Sequence, residues 1–426
     1  MKNDKTIDSV TKDGLCTGCG TCVGICPQLA VEMVTNNSKG IYVPQLDREK
    51  CNECGICFEV CPGHTVDFRQ LNTEIFSKPP ENMVLGNYVN CYIGYATDYD
   101  IRYNSASGGL VTALLIFALE QGLIDGALVT RMSENNPLEP QPFIATTEEE
   151  IISAAKSKYC PVPANIALRS ILEQDGRFAV VGLPCHIHGI RKAAASNKKL
   201  RERIVLHLGI FCSHTNSFGM TDFVLHKYGV NKEDIARLDY RGEGWPGSMT
   251  IHLKNGTKKL IPHDDSIAPH VFGFFTPARC TLCCDLVSEL ADISCGDAWL
   301  PEIVARDKVG TSIVISQTET GEAICQQAIA KRYIELEEIS SEKVKQWAMS
   351  KKRDMRVRSY LSGLFGNPVP DYNTTLPRPK FINYVRGVLV YFNAWVSSQP
   401  YLCRFVAPLL RVEQSVRAWL GKIHSS

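Results

Sequence analysis

Eight cysteines fall before residue 62, and their spacing is the first chemistry in the chain. Cys16, Cys19, Cys22 and Cys26 recur, shifted by 35 residues, as Cys51, Cys54, Cys57 and Cys61. Proline follows the fourth cysteine both times, at Pro27 and Pro62. Three thiols at such intervals on a turning loop can each hold one iron of a cubane, while the fourth is carried away on a short helix to the other cluster. That assigns Cys16, Cys19, Cys22 and Cys61 to one [4Fe-4S] cluster, and Cys26, Cys51, Cys54 and Cys57 to a second. Gly18, Gly20 and Gly55 suit loops that wrap closely around a cluster. The rival reading is a pair of structural zinc sites, but zinc usually takes two Cys-x2-Cys pairs, not two runs of four. Such clusters pass one electron at a time and choose no substrate, so the rest of the chain must do that.

Further thiols lie beyond the repeat. Cys185, in Gly182-Leu183-Pro184-Cys185, follows an apolar strand at the carboxyl end where α/β sheets place their sites. Cys212, in Phe211-Cys212-Ser213-His214, ends the next strand in the same way, and Cys280 and Cys283 share a loop. Spacing alone leaves two readings of these four: ligands of a third cubane, or reduced core thiols, since free cysteine is commonly buried. Cys284 and Cys295 lie near enough in sequence to replace a ligand. Cys91, Cys160, Cys325 and Cys403 read as structural thiols. Ser107, Gly108 and Gly109 open a helix whose free N–H groups could hold a phosphate, or are a plain cap. Lys158 and Tyr159 offer a charge and a ring in a loop that, taken alone, is surface. Gly242, Gly244 and Gly247 match a dinucleotide phosphate turn by letter only, because Trp245-Pro246 interrupts them and a strand follows.

The elements that must position these residues follow from periodicity and turn signals. Helices are expected over 108–122, 186–195, 217–228 and 321–331. Strands are expected over 178–182, 204–211 and 312–316, with a hairpin about Asn255-Gly256. Short β-like runs follow each cysteine unit, at 30–34 and 65–68. This alternation predicts an α/β chain (α+β overall) with a mostly parallel sheet. Its expected parts are a small dicluster ferredoxin module (1–75), a linker (76–90), a larger mixed α/β domain (91–345) and a helical basic extension (346–426). Hydrophobic residues at 44% and charged residues at 21% exclude a wholly disordered chain. A net charge of +1 offers no global excess for nucleic acid. Residues 1–12 are polar and lack an apolar signal core, and the longest apolar stretch, 110–119, is half the roughly 20 residues a bilayer span needs. The cytoplasm is therefore the expected compartment, and thiols stay reduced there.

The strings SGGLVTALL, SKYCPV, GLPCHIHGIRK, GWPG and CTLCCDLVSELADISCGDAW occur in that order over about residues 90–340. Together they resemble the beta-subunit family of coenzyme F-420-reducing hydrogenases and dehydrogenases, for which a bacterial-type 2[4Fe-4S] ferredoxin module is a frequent N-terminal companion. The resemblance implies an oxidoreductase with bound FAD and a [4Fe-4S] cluster in the large domain, which favours the third set of thiols. It makes Ser107, Gly108, Gly109, Lys158 and Tyr159 candidate flavin contacts, and Asp297 a candidate polar residue near the site. Electron counting then orders the path. A deazaflavin exchanges hydride, a cluster takes one electron, and a flavin does both, so the flavin stands between them.

The family is broad, and three functions stay open. One is an F-420-linked subunit serving a ferredoxin or a hydrogenase, dehydrogenase or reductase subunit. Another is a ferredoxin-dependent flavoenzyme acting on an organic substrate, with polysaccharide biosynthesis as one setting. The third is an electron-relay adaptor without its own substrate. Residues 351–426 hold 12 Lys or Arg and 3 Asp or Glu. Segments 381–396 and 402–420 are apolar with spaced arginines. They are either helices packed on the domain with solvated charges, or a peripheral contact with an anionic membrane on the cytoplasmic face.

Overall fold

The computed structural model describes residues 6–399 and 401–424. The cysteine repeat becomes a structural repeat. Gly20 and Gly55 take left-handed φ values of 83° and 78°, and each starts a four-residue helix, Thr21–Gly24 and Ile56–Glu59. A side chain would be strained at either position. A Cβ on Gly20 would also meet the Pro163 carbonyl oxygen at 2.9 Å, so this loop is pressed against the large domain. Between the two units, Val31–Asn36 pairs antiparallel with Ile41–Leu46. The second expected run is shorter than 65–68. Only Thr65–Val66 is strand, because Asp67 accepts a hydrogen bond from the Gln70 N–H and caps helix Phe68–Phe76. Those two residues pair in parallel with Asp371–Tyr372, so the C-terminal extension reaches back onto the module.

The large domain is built on eight strands. In spatial order they are Ile334–Glu338, Asn90–Ala96, Ser312–Ser316, Ile293–Asp297, Ile204–Ile210, Phe178–Gly182, Gly126–Met132 and Pro140–Ala145. The sheet is mixed, which corrects the mostly parallel expectation. Its three central joins are parallel and the outer four antiparallel. A short connection explains one reversal, at the sheet edge. Met132 and Pro140 are joined by a hairpin loop, and a parallel return needs a crossover of a dozen or more residues. Ser312–Ser316 is buried along its whole length, with Val314 in the core beneath helices Leu110–Glu120 and Glu319–Ala330, and Ile313 and Ile315 in the core on the other face. Such continuous burial is the mark of a strand covered on both sides. A second, three-stranded sheet contains the expected hairpin, Ser248–Leu253 paired with Lys258–Pro262.

Residues 78–87 form a packed connection. Leu85 is fully buried, and Asn87 Nδ2 donates to Asn72 Oδ1 at 2.9 Å. Helix Ser341–Leu364 crosses this connection, with Lys352 Nζ donating to the Met83 carbonyl at 3.0 Å. Helices Phe381–Ser398 and Val406–His424 follow. Lys351, Lys352 and Arg358, at the start of the basic tail, are buried. Among the described residues no helix is long and apolar enough to cross a membrane.

Candidate functional site

The twelve cysteines expected to bind metal fall into three neighbourhoods. Cys16, Cys19, Cys22 and Cys61 are close enough to repel one another as thiolates. Burial pushes Cys16 and Cys22 well up and Cys61 to about 11, and their neighbours in the set add to the rise. Cys26, Cys51, Cys54 and Cys57 line a void of about 20 Å³. Cys185, Cys212, Cys280 and Cys283 line another of about 50 Å³, whose wall also includes Cys16. Burial raises all of Cys185, Cys212 and Cys280, with Cys212 reaching about 12. Buried thiols of this kind stay protonated unless a cation takes the charge, and a bound metal deprotonates them outright. No three His, Cys, Asp or Glu side chains among the described residues are arranged to hold a single ion. Four thiolates that each bind their own iron stand farther apart than four sharing one zinc. Cys284 and Cys295, the alternative ligands, are buried and line none of these voids.

Cations and one unpaired ring nitrogen surround the third set. Lys351 Nζ donates to the carbonyls of Cys212 and Asp285. Arg279, 3% exposed, donates to the carbonyls of Gly63 and Pro62 at 2.8 and 3.1 Å and to the Tyr372 hydroxyl at 2.7 Å. It thus ties this set to the loop after Cys61 and to the C-terminal extension. His188 Nε2 lies 2.8 Å from Asp285 Oδ2, whose carboxyl is held below its usual range by His188 and Lys352 against the upward push of burial. His214 also lines the void, and its Nε2 is buried with no hydrogen-bond partner. In the tautomer that carries its proton there, this nitrogen would donate to an acceptor in the void, such as a cluster sulfide.

The candidate flavin contacts converge on a residue that sequence reasoning missed. Arg241 is 1% exposed. It donates to the Ala106 carbonyl beside Ser107, to the Tyr159 hydroxyl at 3.1 Å and to Asp297 Oδ1 at 3.1 Å. Trp245 Nε1 donates to the same Asp297 oxygen at 2.9 Å. Ser107 Oγ and the Gly108 N–H bond to Ser312 Oγ at 2.8 and 2.9 Å, which seats the turn on the sheet. A Cβ on Gly108 would lie 2.6 Å from the Gly94 carbonyl oxygen. Gly109, at φ 76°, starts helix Leu110–Glu120, which no side chain caps. Lys158 stands apart. Its ammonium donates to the carbonyls of Ala154, Ala155 and Lys156, and burial lowers its pKa to about 7. Beyond Arg241, the Trp299 ring is tilted by 34° against that of Trp245, with centroids 4.8 Å apart, and Trp299 is 40% exposed. The only sequence signal for this hub was the Gly-Trp-Pro-Gly loop that follows Arg241.

A chain of rings leads from the hub to the third thiol set. The Tyr159 and His270 centroids are 5.6 Å apart, and His270 stacks on His214 at 3.9 Å. A wide cleft of about 2340 Å³ lies elsewhere. It is lined by Gly14, Cys16, Gly40, Ser217, Phe275 and Trp395 among others, and by neither the five candidate flavin contacts nor Asp297.

The arrangement defines an iron–sulfur oxidoreductase subunit. A 4Fe-4S dicluster model matches residues 15–65. The N-terminal and C-terminal models of the coenzyme F-420 hydrogenase/dehydrogenase beta subunit match residues 91–169 and 175–342. The chain belongs to that beta-subunit family. It is 31% identical over 268 residues to coenzyme F-420 hydrogenase subunit beta of Methanothermobacter thermautotrophicus, covering 61% of this chain and 88% of that protein. It is 28% identical over 355 residues to the coenzyme F-420-dependent sulfite reductase of Methanocaldococcus jannaschii, covering 80% of this chain and 50% of that one. Among solved structures, a chain of the xenon-derivatised F-420-reducing NiFe hydrogenase complex of Methanosarcina barkeri superposes with a TM-score of 0.54 at 25% identity. That match covers 69% of this chain and 98% of the other.

Proposed function

We propose that this chain exchanges hydride between coenzyme F-420 and bound FAD, and passes single electrons through three [4Fe-4S] clusters to or from a partner subunit. Relatives named for coenzyme F-420 include hydrogenase, sulfite reductase, formate dehydrogenase and reduced-F-420 dehydrogenase proteins, which supports that carrier. FAD supplies the step from two electrons to one. The observation that carries the reading is the sharing of one void wall by Cys16 and by Cys185, Cys212, Cys280 and Cys283. It supports a short path from the third cluster to the first. The second ferredoxin cluster, on Cys26, Cys51, Cys54 and Cys57, stands at the outer end, where Cys54 is exposed.

The residues divide the work as follows. The uncapped amides of Leu110, Val111 and Thr112 suit a flavin phosphate, since a helix start carries free N–H groups and a positive dipole end. Arg241 holds the Ser107 turn, Tyr159 and Asp297 in register, and Trp299, 40% exposed, offers apolar surface beside this hub. Ser107, Gly108 and Asp297 act by positioning, because their own polar groups already have partners in the protein. Lys351 and Arg279 set positive charge beside the third thiol set, which offsets the negative charge of thiolates and of added electrons.

The test is anaerobic. Purified protein is mixed with reduced F-420, and the flavin absorbance is followed. Bleaching within turnover time is the expected result. A flavin-loaded protein that stays oxidised would reject the F-420 assignment, and a protein with no flavin would favour a pure relay.

A further inference from the structure

Helix Phe381–Ser398 is packed inside out. Its buried positions are Asn383, Gly387, Asn393, Ala394, Val396 and Ser397, mostly polar or small. Asn383 Nδ2 donates to Asp354 Oδ1 at 2.7 Å, Asn393 Nδ2 to the Phe272 carbonyl at 2.9 Å, and Ser397 Oγ accepts from the Phe275 N–H at 2.6 Å. The large apolar side chains face out. Phe381 is 83% exposed, Val388 52%, Phe392 47% and Trp395 53%. With Val385 they follow one another at steps of four and three residues, which is a single stripe on a helix. A helix on a water-soluble surface buries such a stripe; this one turns it away from its own core.

The charges around the stripe say what covers it. From residue 372 to 412 there is no Asp or Glu, while Arg378, Lys380, Arg386, Arg404 and Arg411 are all exposed. Arg386 pairs with Asp354; the other four form no ion pair among the described residues. A second copy of the chain would set these cations against each other. An anionic lipid surface supplies both an apolar layer for the stripe and negative headgroups for the cations. Tyr384 and Trp395 suit the headgroup boundary, where amphipathic rings collect. No described helix can span a bilayer, so the contact would lie in the plane of the interface.

We propose that helix Phe381–Ser398 lies on the surface of an anionic membrane. Phe381, Val385, Val388, Phe392 and Trp395 enter the acyl boundary, and Arg378, Lys380 and Arg404 meet headgroup phosphates. Val388, Phe392 and Trp395 also line the wide cleft that reaches Cys16, so docking turns that cleft toward lipid. The proposal does not depend on the identity of the electron carriers.

Vesicle flotation tests it, using the full chain purified anaerobically. The wild type should float with vesicles of phosphatidylglycerol and phosphatidylcholine, far less with phosphatidylcholine alone, and less again in about 1 M salt. Replacing Val388→Asp together with Phe392→Asp should cut binding about tenfold. Iron content and melting temperature should hold, because both side chains are about half exposed and neither belongs to the buried face of the helix. Arg378→Glu with Lys380→Glu should abolish the anionic preference. A wild type that stays below both kinds of vesicle overturns the proposal, as does undiminished binding by the Val388→Asp, Phe392→Asp chain. A dimer seen by sedimentation without vesicle binding, and broken by that same pair of substitutions, would give the face to a second copy and equally overturn it.

Discussion

Arg241 Nη2 lies 3.1 Å from Asp297 Oδ1, which ties an irregular segment to the last residue of strand Ile293–Asp297. The guanidinium is 1% exposed and spends its remaining donors on Ala106, Tyr159 and Pro246. One side chain therefore links the glycine turn before helix Leu110–Glu120, the loop at Tyr159 and the end of strand Ile293–Asp297. Removing it by Arg241→Met leaves Asp297 without its charge partner. We expect a loss of about 3–5 kcal/mol in the urea unfolding free energy. Arg241→Lys keeps the charge but loses the forked contacts, and should retain stability better than it retains bound flavin. Unchanged flavin content in both variants would contradict the hub's part in the cofactor site.

Cys212→Ser should lower iron by about four atoms per chain in anaerobic preparations, since a cubane short of one thiolate is readily lost. Cys284→Ser should leave the count alone, although its neighbour Cys283 faces the void. Equal iron in the two variants would move Cys212 out of the ligand set.

Lys352 and Glu289 form a buried pair at 3.1 Å, each side chain 2% exposed. Burial raises the Glu289 carboxyl to about 7, against the pull of Lys352. Lys352→Met should cost about 3–5 kcal/mol at pH 8. The cost should shrink toward pH 6, because a carboxyl raised in the folded state takes up a proton there and the buried charge disappears. Lys352→Met with Glu289→Gln should recover much of the loss. Melting temperatures at the two pH values measure all three quantities.

Acid should unfold the chain partly through His207. Burial, with Arg191 nearby, lowers this histidine from 6.5 to about 4. Above pH 6.5 both states are neutral. Between 6.5 and 4 only the unfolded chain takes up the proton, so stability falls as pH drops through that window. The denaturation midpoint followed from pH 7 to 4 should show this fall. His207→Asn, which keeps a donor for Asp292, should flatten the slope, and an unaltered slope would exclude His207 as its source.

The fold was largely legible because its signals are local. Strand Phe178–Gly182 is a short apolar run ended by glycine, and strand Ser312–Ser316 matches its expected bounds. Helix Leu110–Glu120 begins two residues later than expected, because Gly109 takes a left-handed conformation that starts the helix after it. The parallel character of the sheet was overestimated. Apolar runs mark buried strands without telling their direction, which loop length and packing settle.

The eight N-terminal cysteines, their repeat of 35 residues and the dicluster module were determined by the sequence alone, since turn geometry over a few residues dictates which thiols can share a cubane. Only the tertiary structure decided that Cys185, Cys212, Cys280 and Cys283 line one void, and that Arg241 gathers Tyr159 and Asp297. It also decided that Lys351 and Arg358, written into a basic tail, point inward. These residues stand tens to hundreds of positions apart. Their meeting depends on the order in which eight strands pair, and no local spacing encodes that order.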